Sequence, residues 1–450
     1  MNNVTKYQHK NVLVMGLAKS GKAAAHMLRA LGANVTINDR TPLADNPDAK
    51  EMIAAGFEVQ TGGHPLTLLE KNFDYIVKNP GIPYNKVPLL LEARRRGIPI
   101  LTEVQIAYEI SEAPMIGITA TNGKTTTTML IFEMLKQGAL RPKIAGNIGE
   151  VATLVAKDAK ADEVLVTELS SFQLMGITDL RPHISLILNI TEAHLDYHTD
   201  LEEYRQAKLN LVKSQLESDF FVYNADDEIV KRGLAQTRAT GIPFSLRDEV
   251  NGAYVKDGNV YFQGELIIPV SEILLKGEHN LQDILGAVAC CRLYGCDIPS
   301  IAAVLKSFTG VKHRLQFVDE VAGVKYYNNS KATNVIATSM SLKSFEAPVV
   351  LIAGGLDRDH DLSDLAKDFH HVRAVVAYGQ TKDRFKLLAD QHGVNCQIVE
   401  TIDEAVPTAA ALAKQGDYVL LAPACASWDQ FKNFEERGDC FIAGVQKLKA

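Results

Sequence analysis

Gly117-Ile118-Thr119-Ala120-Thr121-Asn122-Gly123-Lys124-Thr125-Thr126 follows a β-like stretch and opens a helix-forming one. Gly123 lets a backbone approach a phosphate closely, Lys124 offers a cation to β and γ phosphates, and Thr125 offers a hydroxyl to Mg2+. Against G-x-x-x-x-G-K-[ST] the stretch fails at one place, because Ile118 stands where the first glycine belongs. A strand, a phosphate loop and a helix in that order predict a parallel α/β sheet that binds ATP or GTP.

Working outward, short β-branched runs alternate with helical stretches almost throughout, so the fold class is α/β. In the first hundred residues strands are expected at 11–15, 34–38 and 75–78, with a helix over 21–31. A proline-interrupted connection is expected at 98–114. Runs at 164–167, 184–190 and 220–223 read as core strands of one central sheet. After Phe308-Thr309-Gly310 the alternation restarts, with strands at 325–328, 349–353, 374–377, 397–400 and 418–422. Three domains are expected, over 1–104, 105–310 and 311–450, and a length of 450 residues agrees at roughly 150 per domain.

A second glycine-bounded loop, Gly16-Leu17-Ala18-Lys19-Ser20-Gly21-Lys22-Ala23, matches G-x-x-x-x-G-K but continues with Ala23, which cannot ligate Mg2+. As a dinucleotide fingerprint it is also damaged, with Ala18 at the second glycine position. It still sets backbone N–H groups and a helix N-terminus against a diphosphate. Asp39 ends the second strand, where an acidic residue would meet a ribose. Nucleotide-diphosphate binding, a redox cofactor and a purely structural turn all remain open for this loop.

Downstream, Glu168 closes an apolar strand, where a phosphate-loop fold presents its second magnesium-binding residue. The 184–190 run delivers Thr191-Glu192-Ala193-His194-Leu195-Asp196-Tyr197-His198 at its C-terminal end, and His194 is the candidate ligand, with Asp196 and His198 left to structure. Lys208, in a polar stretch expected to be helical over 201–211, reads by itself as a solvated surface lysine. The run Asp357-Arg358-Asp359-His360-Asp361 imitates a calcium loop, but Leu362 occupies the turn position that needs glycine.

With 47 Lys+Arg against 54 Asp+Glu the formal net charge is −7, and 46% of residues are hydrophobic. Disordered, collagenous and supercharged classes are excluded, and no global attraction to nucleic acid exists. No uncharged apolar run reaches the 18 or so residues a membrane span needs, so no membrane partner is expected. The six cysteines form no C-x-x-C pair, which suits free thiols in a reducing cytoplasm.

The segments 117–126, Ala145-Gly146-Asn147-Ile148-Gly149, Glu168-Leu169-Ser170-Ser171-Phe172-Gln173, 189–198 and His279-Asn280 resemble, in that order, the Mur ligases, the ATP-dependent amide ligases of peptidoglycan synthesis. Ser330-Lys331-Ala332-Thr333-Asn334 and the run Pro423-Ala424-Cys425-Ala426-Ser427-Trp428-Asp429-Gln430-Phe431-Lys432-Asn433-Phe434-Glu435-Glu436-Arg437-Gly438 resemble the members of that family that add D-glutamate. Sibling ligases and folylpolyglutamate synthase share the central motifs but not this ending.

The resemblance implies a Rossmann-like N-terminal domain for a UDP-sugar, a central phosphate-loop ATPase and a Rossmann-like C-terminal domain for the amino acid. It further implies a cytoplasmic monomer acting on UDP-N-acetylmuramoyl-L-alanine and D-glutamate, with ATP and two Mg2+ as cofactors. Lys124 would hold the phosphates, within an ATP site of Gly117, Thr121, Asn122, Gly123, Thr125, Thr126, Asn280, Arg314 and Asn329. Thr125 and Glu168 would bind one Mg2+, and His194 with Lys208, carried as a carbamate, the other. The UDP-sugar would meet Leu17, Ala18, Lys19, Asp39, Asn79, Asn147 and His194. D-Glutamate would meet Lys331, Thr333, Arg358, Ser427 and Phe434. Three residues depart from the family pattern: Ala120 replaces a usual glycine, Asn329 a usual aspartate, and Arg358 lies near a usual lysine position. A nicotinamide dehydrogenase leaves Lys124, Thr125 and Glu168 unexplained, and a nucleotide switch leaves the C-terminal loops idle.

Overall fold

The computed structural model describes residues 1–450 apart from Asn3, Leu195, Asp196, Glu346, His360 and Ala450. The chain forms two compact units, Met1–Phe308 and Thr309–Ala450. The first unit carries two sheets. A five-stranded parallel sheet runs in the order Glu58–Thr61, Asn34–Asp39, Asn11–Met15, Tyr75–Lys78, Ile100–Leu101. Its central strand pair buries Val12, Leu13, Val14, Ile76 and Val77, the continuous apolar run expected of a parallel sheet covered on both faces.

The nine-stranded sheet has its parallel heart at Phe220–Asn224, Ile184–Ile187, Met115–Thr119, Val164–Glu168 and Pro142–Gly146, in that spatial order. Ile118 is in register with both Glu168 and Leu186, so three chain segments leave the sheet at one edge. That edge is where open α/β sheets bind ligands. The helix Lys124–Gln137 buries Leu130, Ile131, Met134 and Leu135 in a core shared with Ile116, Ile118, Val166 and Ile284. At about 2 kcal/mol for each fully buried aliphatic side chain, that face anchors the helix and fixes where its N-terminus points.

The second unit holds a six-stranded sheet in the order Gln316–Val321, Val324–Asn328, Tyr418–Leu421, Val349–Gly354, Val372–Tyr378, Asn395–Ile398. Only its first pair is antiparallel. The strand Val349–Gly354 is buried along its whole length between two hydrophobic clusters.

Four sequence expectations are corrected. The 98–114 connection is instead a short strand, Ile100–Leu101, and a helix, Glu103–Ile110. That helix is buried at six of eight positions, including Glu103 and Gln105, so it shows no polar face to mark it. The 184–190 strand ends at Ile187, and the last edge strand is Asn395–Ile398 rather than 397–400. Finally, the antiparallel strands Ala253–Lys256, Asn259–Phe262 and Glu265–Pro269 extend the large sheet where no strand was expected. Among the described residues no helix is long and apolar enough to cross a membrane.

Candidate active site

The loop after Met115–Thr119 closes at Gly123, whose φ of 85° suits glycine. A Cβ there would also lie 2.0 Å from Asp283 Oδ1. Ala120 is fully buried and keeps a negative φ, which is how an alanine is accommodated at that position. The loop is fastened to the segment leaving Ile184–Ile187: Asn122 N–H donates to Asn189 Oδ1 at 2.9 Å, and Asn189 Nδ2 donates back to Asn122 O at 3.1 Å. Thr121 Oγ1 meets the Tyr204 hydroxyl at 2.8 Å. Lys124 Nζ curls over the loop, donating to Ala120 O at 2.8 Å and Thr121 O at 2.9 Å.

Thr125 Oγ1 donates to Glu168 Oε2 at 2.8 Å, and Asn147 Nδ2 donates to Glu168 Oε1 at 2.8 Å. Glu168 is buried, so its two oxygens are oriented by two neutral donors rather than by solvent. A hydroxyl beside a carboxylate at a phosphate loop is a hard-oxygen donor set that fits Mg2+. Thr126 follows within the first turn of the same helix. Asn280 lies on the first turn of the helix Glu278–Leu293 and donates to Lys276 O at 2.6 Å.

Lys208 is corrected from a surface residue to one only 2% exposed. Its Nζ donates to Ala120 O at 2.7 Å and lies 4.8 Å from the centre of the Tyr204 ring. Burial, reinforced by the Lys124 charge and opposed by Glu168, holds its ammonium well below the ordinary lysine range. His194 is exposed, has a φ of 58°, and packs edge-on to Phe172 with ring centroids 5.0 Å apart. His198 is buried with Nε2 3.0 Å from Ser171 Oγ. Leu195 and Asp196 lie outside the described residues.

Asp283 was not singled out from sequence, and its spacing after Asn280 on one helix was the available signal. It is 4% exposed beneath Gly123, and burial pushes its carboxyl up to about 7, against the pull of Thr127 and Lys124. Between the unfolded value of 3.8 and 7, the folded state holds a proton that the unfolded state has lost. Stability from this group is therefore complete below the lower value and falls as pH rises to about 7, by a few kcal/mol at most. Asp283→Asn should flatten that fall, as read by urea unfolding of the nucleotide-free protein at pH 4.5 and pH 8.

Around the N-terminal loop, Leu17 N–H donates to Asp39 Oδ2 at 2.8 Å, while Thr41 N–H and Asn46 Nδ2 donate to Asp39 Oδ1 at 2.8 and 3.0 Å. The Asp39 carboxylate thus braces the loop. A cavity of about 330 Å³ is lined by Gly16, Leu17, Ala18, Asp39, His64 and Asn79 among others. Lys19 instead lines a neighbouring cavity with Lys22 and Gly149. Asn79 Nδ2 donates to Ser20 Oγ at 3.0 Å and its Oδ1 accepts from Gly81 N–H at 2.9 Å.

In the second unit Thr333 and Arg358 line one cavity of about 390 Å³, together with Asp361 and Asp364. Arg358 also stacks its guanidinium 4.7 Å from the centre of the Trp428 ring. Lys331 Nζ sits 5.4 Å from the Phe434 ring centre, and Ser427 is buried. Asn329 uses its amide inside the fold, accepting from Leu315 N–H at 3.2 Å and donating to Ser341 Oγ at 2.6 Å. Arg314 is exposed. Of the calcium-like run, Asp357 pairs with Arg384 and Asp361 caps Ser363 N–H; His360 lies outside the described residues.

The Mur ligase MurD-like N-terminal domain matches residues 10–102, the Mur ligase middle domain 118–291, and the Mur ligase glutamate ligase domain 313–425. The UDP-N-acetylmuramoylalanine--D-glutamate ligases of Bacillus mycoides and Bacillus cereus are each 54% identical over 450 residues, covering all of both chains. In fold, the crystal structure of UDP-N-acetylmuramate-alanine ligase from Thermotoga maritima aligns with 98% of this chain and 100% of its own at a TM-score of 0.53, with 17% identity. End-to-end identity at this level, over a chain whose phosphate loop and Glu168 strand fall inside the matched middle domain, settles the lineage: the chain belongs to the Mur ligase family.

Proposed function

We infer that this chain is an ATP-dependent ligase that joins D-glutamate to the L-alanyl carboxylate of UDP-N-acetylmuramoyl-L-alanine, in peptidoglycan precursor synthesis. The observation that carries the reading is Glu168 hydrogen-bonded by Thr125 and Asn147 at the sheet edge where Lys124 is held by the phosphate loop, in a chain that matches D-glutamate ligases over their full length.

A free carboxylate resists amine attack because its leaving group would be oxide. One carboxylate oxygen therefore attacks the γ-phosphorus of ATP, the bond to the β-phosphate oxygen breaks, and ADP leaves. The D-glutamate amine, as free base, then attacks the carbonyl carbon of the acyl phosphate; the tetrahedral intermediate expels phosphate and the nitrogen loses a proton. Lys124 offsets the phosphate charge that otherwise repels the attacking carboxylate. Thr125 and Glu168 would hold one Mg2+, which supplies further positive charge to the phosphoryl oxygens when bound. His194 and Lys208 would hold a second only with Lys208 as a carbamate, since a buried amine is not a hard-oxygen ligand.

Asn280, on the first turn of its helix, would complete the ATP site within the first unit. Leu17, Ala18, Lys19, Asp39 and Asn79 would hold the uridine diphosphate, with Asn147 and His194 toward the muramoyl group. Lys331, Thr333, Arg358, Ser427 and Phe434 would receive D-glutamate. Segments 1–104, 105–310 and 311–450 would be the three working domains of a cytoplasmic monomer.

Phosphate release should require both the UDP-sugar and D-glutamate, and release with neither present would instead favour a nucleotide switch. In the same assay Ser427→Ala should mainly raise the KM for D-glutamate, by about tenfold for one hydrogen bond to a charged group. An unchanged KM would move the amino-acid pocket elsewhere.

A further inference from the structure

Among the described residues Arg437 is the largest fully buried side chain, with no exposed surface. It projects from the helix Phe434–Lys447, and its fork reaches two other segments. Nε donates to Ser330 Oγ at 2.9 Å, Nη2 to Ser330 O at 2.8 Å, and Nη1 to Cys425 O at 3.0 Å. Ser330 Oγ in turn donates to Phe434 O at 2.7 Å. The same loops are stitched beside it by Ala424 N–H to Ala332 O at 2.9 Å.

Burying a cation costs several kcal/mol, and an apolar residue of similar size usually serves a core as well or better. A filling role therefore does not account for this arginine. What distinguishes it is where its bonds go. Ser330 precedes Lys331, Cys425 lies two residues before Ser427, and Phe434 opens the arginine's own helix. Each bonded segment carries a residue of the proposed D-glutamate pocket. A planar guanidinium donates in several fixed directions at once, which an ammonium at the same place cannot do.

We propose that Arg437 is a positioning residue for D-glutamate, a clamp that holds the Lys331, Ser427 and Phe434 segments in one arrangement without touching the substrate. The proposal rests on the assignment of that pocket and deepens it. Because loops tied by one group move together when it is lost, weakening the clamp should disturb the amino-acid site and leave the two ligands bound elsewhere alone.

The test measures all three KM values for Arg437→Lys, Ser330→Ala and Ser427→Ala. Arg437→Lys should raise the D-glutamate KM about fivefold or more, equivalent to losing one net hydrogen bond, with those for ATP and the UDP-sugar within about twofold. Ser330→Ala, which removes one arm of the clamp and keeps the arginine, should raise the same KM and decides the matter should Arg437→Lys not fold. A D-glutamate KM unmoved in both clamp variants but raised in Ser427→Ala overturns the clamp and leaves the pocket standing. Unmoved in all three, it overturns the pocket and the clamp with it. If the three KM values of either clamp variant rise together, Arg437 is merely structural and the proposal fails.

Discussion

Lys124→Ala should release phosphate at least about 10²–10³-fold more slowly than the parent enzyme at saturating UDP-sugar and D-glutamate, the scale seen when one preorganised charge-stabilising donor is lost. In the structure the ammonium is held by two loop carbonyls, Ala120 O and Thr121 O, beside the helix N-terminus. Those bonds hold it against the loop, so the charge is already in place when phosphate arrives. The defect should appear chiefly in kcat, because the negative charge the lysine meets grows as the γ-phosphoryl group transfers. Substitution should leave the fold intact: the buried face of this helix is made by Leu130, Ile131, Met134 and Leu135, not by Lys124. Activity near that of the parent would end the assignment of this loop.

The phosphate loop was legible because its residues act through local backbone geometry, which sequence spacing specifies directly. The strand ending at Glu168 was legible for the same reason: an apolar run of β-branched residues closing on a carboxylate has few other readings. Lys208 was not. Its neighbours on the helix Leu201–Leu209 include Glu202, Glu203, Arg205 and Gln206, so the local pattern is polar and points to solvent. Only the packing of that helix against the phosphate loop takes the amine out of water. Asp283 and Arg437 escaped for a related reason: Asp283 lies against Gly123, and two of the three Arg437 bonds go to Ser330, each more than a hundred residues away in the chain. Asp39 shows the converse. Its carboxylate accepts three hydrogen bonds from its own loops while also lining the cavity there, a bracing role that the end of a strand does not reveal.

Lys208→Ala should be nearly inactive, down by on the order of 10²–10³-fold as for loss of a charged group at the reacting phosphates, and partly restored by formate or acetate. The argument begins from burial. An amine taken out of water, with the Lys124 charge acting in the same direction, loses its proton far more readily than an exposed lysine. The neutral amine is the form that adds to carbon dioxide: nitrogen bonds to carbon, one C=O bond becomes a carboxylate, and a proton leaves. The carbamate would exchange a lone pair for two oxygens that share one negative charge, which suits the proposed second Mg2+ as a buried amine does not. Replacing the side chain with alanine empties a volume beside Ala120 O and the Tyr204 ring that a small carboxylate fits. Chloride at the same ionic strength should not restore activity, since it brings charge without paired oxygens. The parent enzyme should lose activity in buffer stripped of carbon dioxide and regain it on adding bicarbonate, whereas the alanine variant should ignore bicarbonate and respond only to the acid. Full activity of Lys208→Ala without any additive would show that this amine takes no part in the reaction.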